Sequence, residues 1–217
     1  MGVVQICNLM QSKDMVPPAV RKKVFGMAKE LWKVTFAYAG FIDARECIVD
    51  LHEKGFSKDS PQYYPLLVGL VCLYARPFTA AERIGTLSDH IVPAQFRELH
   101  QELLRLRNKM FAHSDPAALL PFAATDSDDF ASGIIFRYKR GSVSIRPSRF
   151  HVHPQFLPDF ILPLLEALIE ITDKKRKQLH DTLAHYVPKK LGDYELNVLD
   201  TDKPMFKRVR AASKIAR

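Results

Sequence analysis

The sequence predicts an all-α fold, a bundle of four principal helices carrying one small β-hairpin. Three observations predict it. Apolar residues recur at steps of three and four along several long segments, prolines and glycines stand where those segments start and stop, and one short stretch alternates with period two. With 217 residues, 47% of them hydrophobic and 26% charged, the chain can bury a core without metals or disulfides and is too apolar to stay disordered.

Pro17-Pro18 opens the first helix, and Val20, Val24, Met27, Leu31, Val34, Tyr38 and Phe41 form one stripe along it until Gly55 stops it. Gly40 can bend this segment, which leaves open whether one helix or two run to Lys54. Ser60-Pro61 supplies an N-cap and a first-turn proline for the second helix. Its run from Leu66 to Tyr74 is apolar all round and therefore buried, and Arg76-Pro77 ends it. Thr79-Ala80-Ala81-Glu82 has capping-box spacing, so a short helix is expected there. Pro93 opens the next helix, through Phe96, His100, Leu103, Leu104, Arg107 and Phe111, and Ser114-Asp115-Pro116 interrupts it.

Ile134, Phe136 and Tyr138 alternate with polar residues, Arg140-Gly141 offers a turn, and Val143 and Ile145 alternate again, so a hairpin inserted at about 131–147 is expected. The last helix carries Phe160, Leu164, Leu168, Ile171, Leu179 and Leu183 on one stripe, with Lys174 to Lys177 mostly outside it. The resulting division is an N-terminal arm (1–18), one helical domain (19–197) and a basic C-terminal tail (198–217).

The formal charge of +8 points to anionic partners, nucleic acid first. Six of those eight net charges belong to Lys203, Lys207, Arg208, Arg210, Lys214 and Arg217, in a tail with no carboxylate after Lys203, for which a solvated basic terminus is the simpler account, so the tail alone does not show RNA binding. Cys7, Cys47 and Cys72 are odd in number and widely spaced, which suits a reducing cytoplasm and neither a disulfide framework nor a zinc site. His151 and His153 lie on one side of a strand without a third ligand, so no metal and no cofactor is expected. The apolar run from Leu66 to Tyr74 is far short of the roughly 20 residues that span a bilayer, and no export signal opens the chain.

The chemistry concentrates at the end of the third helix. At about 100° per residue, Phe96, His100, Leu103, Leu104, Met110 and Phe111 all fall within roughly 60° of Arg107, which places a guanidinium in the apolar stripe. A cation there needs a carboxylate from another helix, a ligand phosphate or a wet interface. His113 lies about 120° around and about 9 Å along an ideal helix from Arg107. The break at Ser114-Asp115-Pro116 frees it to turn back toward Arg107 or to cross a two-fold axis to a partner's Arg107, and an ordinary helix C-terminal cap is the simpler alternative.

The string Leu104-Arg105-Leu106-Arg107-Asn108-Lys109-Met110-Phe111-Ala112-His113-Ser114-Asp115 resembles the signature of HEPN domains, an arginine followed by a polar residue and then a histidine. Phe111-Ala112-His113-Ser114-Asp115 and Tyr74-Ala75-Arg76-Pro77-Phe78 look like the abortive-infection branch of that family. The resemblance spans about Ala19 to Leu183 and implies a four-helix up-and-down bundle in a homodimeric, metal-independent endoribonuclease, many relatives being toxins or phage-defence effectors. Catalytic roles then fall to Arg107, Asn108 and His113, with Arg76, His100, Lys109 and Asp115 as cleft-lining candidates. His100 also fits a satisfied core position, and Arg76 a cation at a helix C-terminus.

RNA can be cut by its own 2′-hydroxyl attacking the adjacent phosphorus, which needs a group near neutral pKa and a cation for the phosphoryl charge. His113 and Arg107 are of those types, and Asn108 can bind the phosphate or orient its neighbours. The alternative is a non-catalytic module of the same fold that holds RNA, a nucleotide or a regulatory protein. A third reading pairs the chain with an inhibitory antitoxin.

Overall fold

The computed structural model describes residues 18–57, 60–79, 84–108, 123–125, 134–139, 141–147, 150–152, 156–186, 194–196 and 206–208. Among them the architecture is mostly helical. Helix α1 spans Pro18–Glu53, α2 Tyr63–Ala75, α3 Arg97–Leu106 and α4 Leu162–Ala184. No helix among the described residues is long and apolar enough to cross a membrane.

Helix α1 runs without a break through Gly40. A Cβ at that position would come within 3.2 Å of the Leu73 carbonyl oxygen, so the glycine serves a close approach to α2 and not a bend. Gly55 ends the helix at φ +62°, a left-handed conformation that side chains disfavour. The start of α2 differs from expectation. Ser60 is not its N-cap, because its carbonyl accepts the Tyr63 amide in a preceding turn, and Gln62 stands at the cap with no side-chain bond. After Ala75 the chain tightens into a 3-10 turn, Arg76–Phe78, as Pro77 requires. The Thr79 hydroxyl donates back to the Arg76 carbonyl at 2.9 Å, serving the turn behind it, and residues 80–83 of the expected capping box lie outside the described residues.

The third segment opens as a 3-10 turn at Ala94–Phe96 before α3 begins. Its buried face is His100, Leu103 and Leu106, centred on Leu103. Arg107, about 40° from Leu103 on the His100 side, falls within this stripe but is only half-buried, because it stands at the helix end.

The last segment also departs from expectation. Leu157–Ile161 is a π turn, in which the Leu162 amide reaches back five residues to the Leu157 carbonyl. Pro158 and Pro163 cannot donate in this stretch, and Leu157, Ile161, Leu164, Leu165 and Leu168 are the residues buried along it. Phe160, expected on the apolar stripe, is 55% exposed and stacks on Phe156.

Three antiparallel strand pairs complete the described elements: β1 (Ala123–Thr125) with β4 (Phe150–Val152), β2 (Ile134–Lys139) with β3 (Ser142–Pro147), and β5 (Tyr194–Leu196) with β6 (Phe206–Arg208). In the β2–β3 pair Tyr138 stands opposite Val143, and Gly141 takes the positive φ of the turn.

The chain divides into two compact units, one of Met1–Phe36, Ala80–Thr86 and Thr172–Arg217, the other of Ala37–Thr79 and Leu87–Ile171. In the first unit Val24, Phe25, Ala28, Val34, Thr172 and Leu183 are buried, and Lys175 of α4 donates to Glu30 of α1. The core of the second is built on Phe41, Ile48, Leu67, Leu70, Tyr74, Leu103, Leu106, Ile161, Leu164, Leu165 and Leu168, with α2 packed against α3.

Candidate functional site

The end of α3 sets the geometry of the expected motif. Backbone winding loosens at Arg107 and Asn108, and the Arg107 amide reaches both the Leu103 and the Leu104 carbonyls. Arg107 is half-buried and Asn108 exposed. The Arg107 Nη1 donates to the Asn108 Oδ1 at 2.9 Å, so the two side chains act as one polar unit at the helix end. A guanidinium in this position keeps part of its hydration, which removes the need for a buried counter-charge that the helical wheel implied.

Arg107 also acts on α2. Burial pushes the Cys72 thiol above its ordinary value, and the Arg107 charge opposes that shift. Cys72 and Cys47 are both half-buried free thiols, and the Cys47 thiol is likewise raised, by burial first and then by Asp50, Asp43 and Glu46. Neither has the lowered pKa of a nucleophilic cysteine.

Deeper in the same unit lies a polar group that sequence reasoning assembled only in part. His100 is 1% exposed. Its Nδ1 is 2.7 Å from the Tyr74 hydroxyl, and its ring sits edge-on to Phe78 and Tyr74 at centroid distances of 4.6 and 5.9 Å. Phe41 closes the aromatic wall against Tyr74 and Phe78. The Leu87 amide donates to the Pro77 carbonyl, bringing the segment after residue 84 back toward this wall, and the following 3-10 turn places Asp89 Oδ1 3.5 Å from His100 Nε2. At that distance the pair attracts electrostatically but lacks the geometry of a hydrogen bond.

Burial holds the His100 imidazole below its ordinary value, with Asp89 opposing. Burial also holds the Tyr74 phenol far above its own, again helped by Asp89. Both groups are therefore neutral near pH 7. The Asp89 carboxylate selects the imidazole tautomer with its proton on Nε2, which leaves Nδ1 to accept from the Tyr74 hydroxyl. This arrangement anchors α3 to α2 and the loop before it, and at 1% exposure His100 is a core residue with no open face for substrate.

The structure places the remaining candidates separately. Arg76 is exposed in the turn after α2. Lys109, His113 and Asp115 lie outside the described residues, as do Met110, Phe111 and His153. No group of three or more metal-ligating side chains occurs among the described residues. Asp89 and Tyr74 had no signal in the local sequence that would tie them to His100. Comparison of the chain with protein-family models, curated proteins and solved structures finds no match.

Proposed function

We propose that this chain is a metal-independent endoribonuclease of the HEPN type, a four-helix up-and-down bundle acting as a cytoplasmic homodimer on RNA. The observation that supports the reading is the coupled Arg107–Asn108 pair, half-open to solvent at the end of α3, with His113 five positions beyond Asn108. The aligned fork of a guanidinium suits a phosphodiester, and Asn108, which holds Nη1, orients that fork.

In this mechanism the RNA 2′-hydroxyl attacks the adjacent phosphorus while one His113 imidazole accepts its proton. Arg107 neutralises the charge developing on the phosphoryl oxygens, and the His113 of the second copy, protonated, donates to the departing 5′-oxygen. The products are a 2′,3′-cyclic phosphate and a 5′-hydroxyl. Control by an antitoxin-like protein and a role in phage defence belong to the same proposal.

Incubation of purified protein with mixed RNA in excess chelator, followed by analysis of the new ends, tests it. Cyclic phosphate ends formed at an undiminished rate in chelator are the expected outcome. RNA that is bound but never cut would overturn the enzymatic reading in favour of a binding module.

A further inference from the structure

The two nitrogens of the His100 ring are unequally served. Nδ1 is bonded to the Tyr74 hydroxyl, whereas Nε2, on a ring 1% exposed, has no hydrogen-bond partner among the described residues and faces Asp89 Oδ1 at 3.5 Å. A buried donor left in that condition is unusual and costs free energy. The ring itself is held, edge-on to Phe78 and Tyr74, so it cannot swing to meet the carboxylate. Asp89 can move toward the ring. Its side chain is 57% exposed, and it opens a 3-10 turn, Asp89–Ile91, secured by the Ile91 and Val92 amides donating to the Ser88 and Asp89 carbonyls.

The surroundings leave this approach without a competitor. Among the described residues the charge acting on the ring is that of Asp89, and the titratable group bonded to it is Tyr74 of α2. Phe78, in the turn after α2, is uncharged, and His90, beside Asp89, is exposed.

We infer that this contact is an acid-responsive latch: when the His100 ring becomes a cation, the turn that carries Asp89 closes onto Nε2. The added proton goes to Nδ1, the nitrogen that carries none in the neutral tautomer, and Nδ1–H then donates to the Tyr74 oxygen, reversing that bond without breaking it. The Nε2–H, now on a charged ring, faces a carboxylate. A closing of about 0.7 Å brings the pair to the roughly 2.8 Å of a charged hydrogen bond. Burial opposes the protonation and Asp89 favours it, so closure falls below the ordinary histidine range. Acid thereby tightens this turn while it lowers the stability of the whole fold, two effects of opposite sign that are measured apart. The inference rests on the α2–α3 contact and the turn before α3, and it stands whether or not the chain cleaves RNA.

Nuclear magnetic resonance of the full chain from pH 7.5 to 5 tests it. Long-range imidazole correlations, with His100 identified by its loss in His100→Gln, are expected to show the Nε2–H tautomer at pH 7.5 and a doubly protonated ring in acid. Over the same range the hydrogen-exchange protection of the Val92 amide is expected to rise about tenfold, the low end for a hydrogen bond to a charged group. Asp89→Asn, at an exposed position, is expected to fold and to lose that rise while His100 still titrates, at a lower pH. A neutral ring protonated on Nδ1, protection that stays level or falls, the same rise in Asp89→Asn protein, or global unfolding before His100 takes its proton would each overturn the inference.

Discussion

The Tyr74 hydroxyl and the His100 Nδ1, 26 residues apart in sequence, meet at 2.7 Å in the buried contact between α2 and α3. Neither residue has another described group that replaces this bond, so removing one partner leaves the other unsatisfied in the core. Tyr74→Phe is expected to cost about 1–3 kcal/mol of stability, the penalty of an orphaned buried acceptor, with little change in shape. Chemical denaturation of both proteins at pH 7.5 checks it, and equal midpoints would contradict the assignment.

The same pair sets a pH dependence. Burial holds the folded-state pKa of His100 below its ordinary value near 6.5, against the pull of Asp89. The unfolded chain therefore binds the proton more readily than the folded one. The contribution is fully present above about pH 6.5 and is lost as pH falls through the folded-state value. Asp89→Asn removes the opposing charge and is expected to make the acid loss larger, whereas His100→Gln is expected to flatten the slope below pH 6.5. Denaturation midpoints from pH 7.5 to 5 read both.

Two glycines of α1 are expected to respond in opposite directions to the same substitution. Gly26 has no atom within 4 Å of an added Cβ, so Gly26→Ala gains helix propensity and about 0.5–1 kcal/mol. At Gly40 the added carbon meets the Leu73 backbone oxygen at 3.2 Å, and this carbonyl in the last turn of α2 is backbone that moves only with the chain around it. Gly40→Ala is expected to lose about 1–2 kcal/mol despite the same propensity gain. Thermal melts of the two variants should bracket the parent protein.

Glu30 and Lys175, 145 residues apart, tie α1 to α4 within the first unit. Desolvation raises the Glu30 pKa, but the bonds and charges of Lys175 and Lys33 outweigh it and hold the carboxylate below its ordinary value of 4.5. The stabilisation is present above that value and is lost as pH falls through the depressed one. Because Lys175 is 40% exposed, a double-mutant cycle of Glu30→Gln and Lys175→Met is expected to give a coupling of only about 0.5–1 kcal/mol at pH 7, which shrinks as the carboxylate protonates in acid.

For the proposed cleavage, His113→Ala and Arg107→Ala are each expected to abolish activity, by about 10²–10⁴-fold for the proton-transfer group. Only Arg107→Ala should weaken binding of uncleaved RNA, because a guanidinium engages the phosphate before as well as during reaction. Half-buried at a helix end, Arg107 is expected to be replaceable with less than about 0.5 kcal/mol change in stability. A folded His113→Ala protein that cuts at the parent rate would sink the assignment.

Local patterns in the sequence determined a good deal. The three- and four-residue stripe of α1, the stop at Gly55 and the break at Pro77 depend on neighbours within a turn or two, and so they are legible in one dimension. The alternation of Ile134, Phe136 and Tyr138 beside Gly141 is local in the same sense, and that stretch is strand β2 paired with β3. The Arg107-Asn108 motif was legible as residue types at a spacing, and their side-chain bond joins adjacent residues.

What only the tertiary structure decided depends on partners distant in sequence. Gly40 read as a possible bend until Leu73 appeared beside it, since a close backbone approach leaves no trace in the pattern of either helix. Phe160 faces solvent because the residues turned inward around it are Leu157, Ile161, Leu164, Leu165 and Leu168, a set centred about 80° from it on the wheel, and which set faces inward is decided by the elements packed against the helix. His100 could be placed on a stripe from sequence, but its role as a neutral, buried acceptor came from Tyr74 and Asp89. Electrostatics in a core is set by which polar groups meet there, and that is decided by the packing of whole elements and not by the residues beside the histidine in the chain.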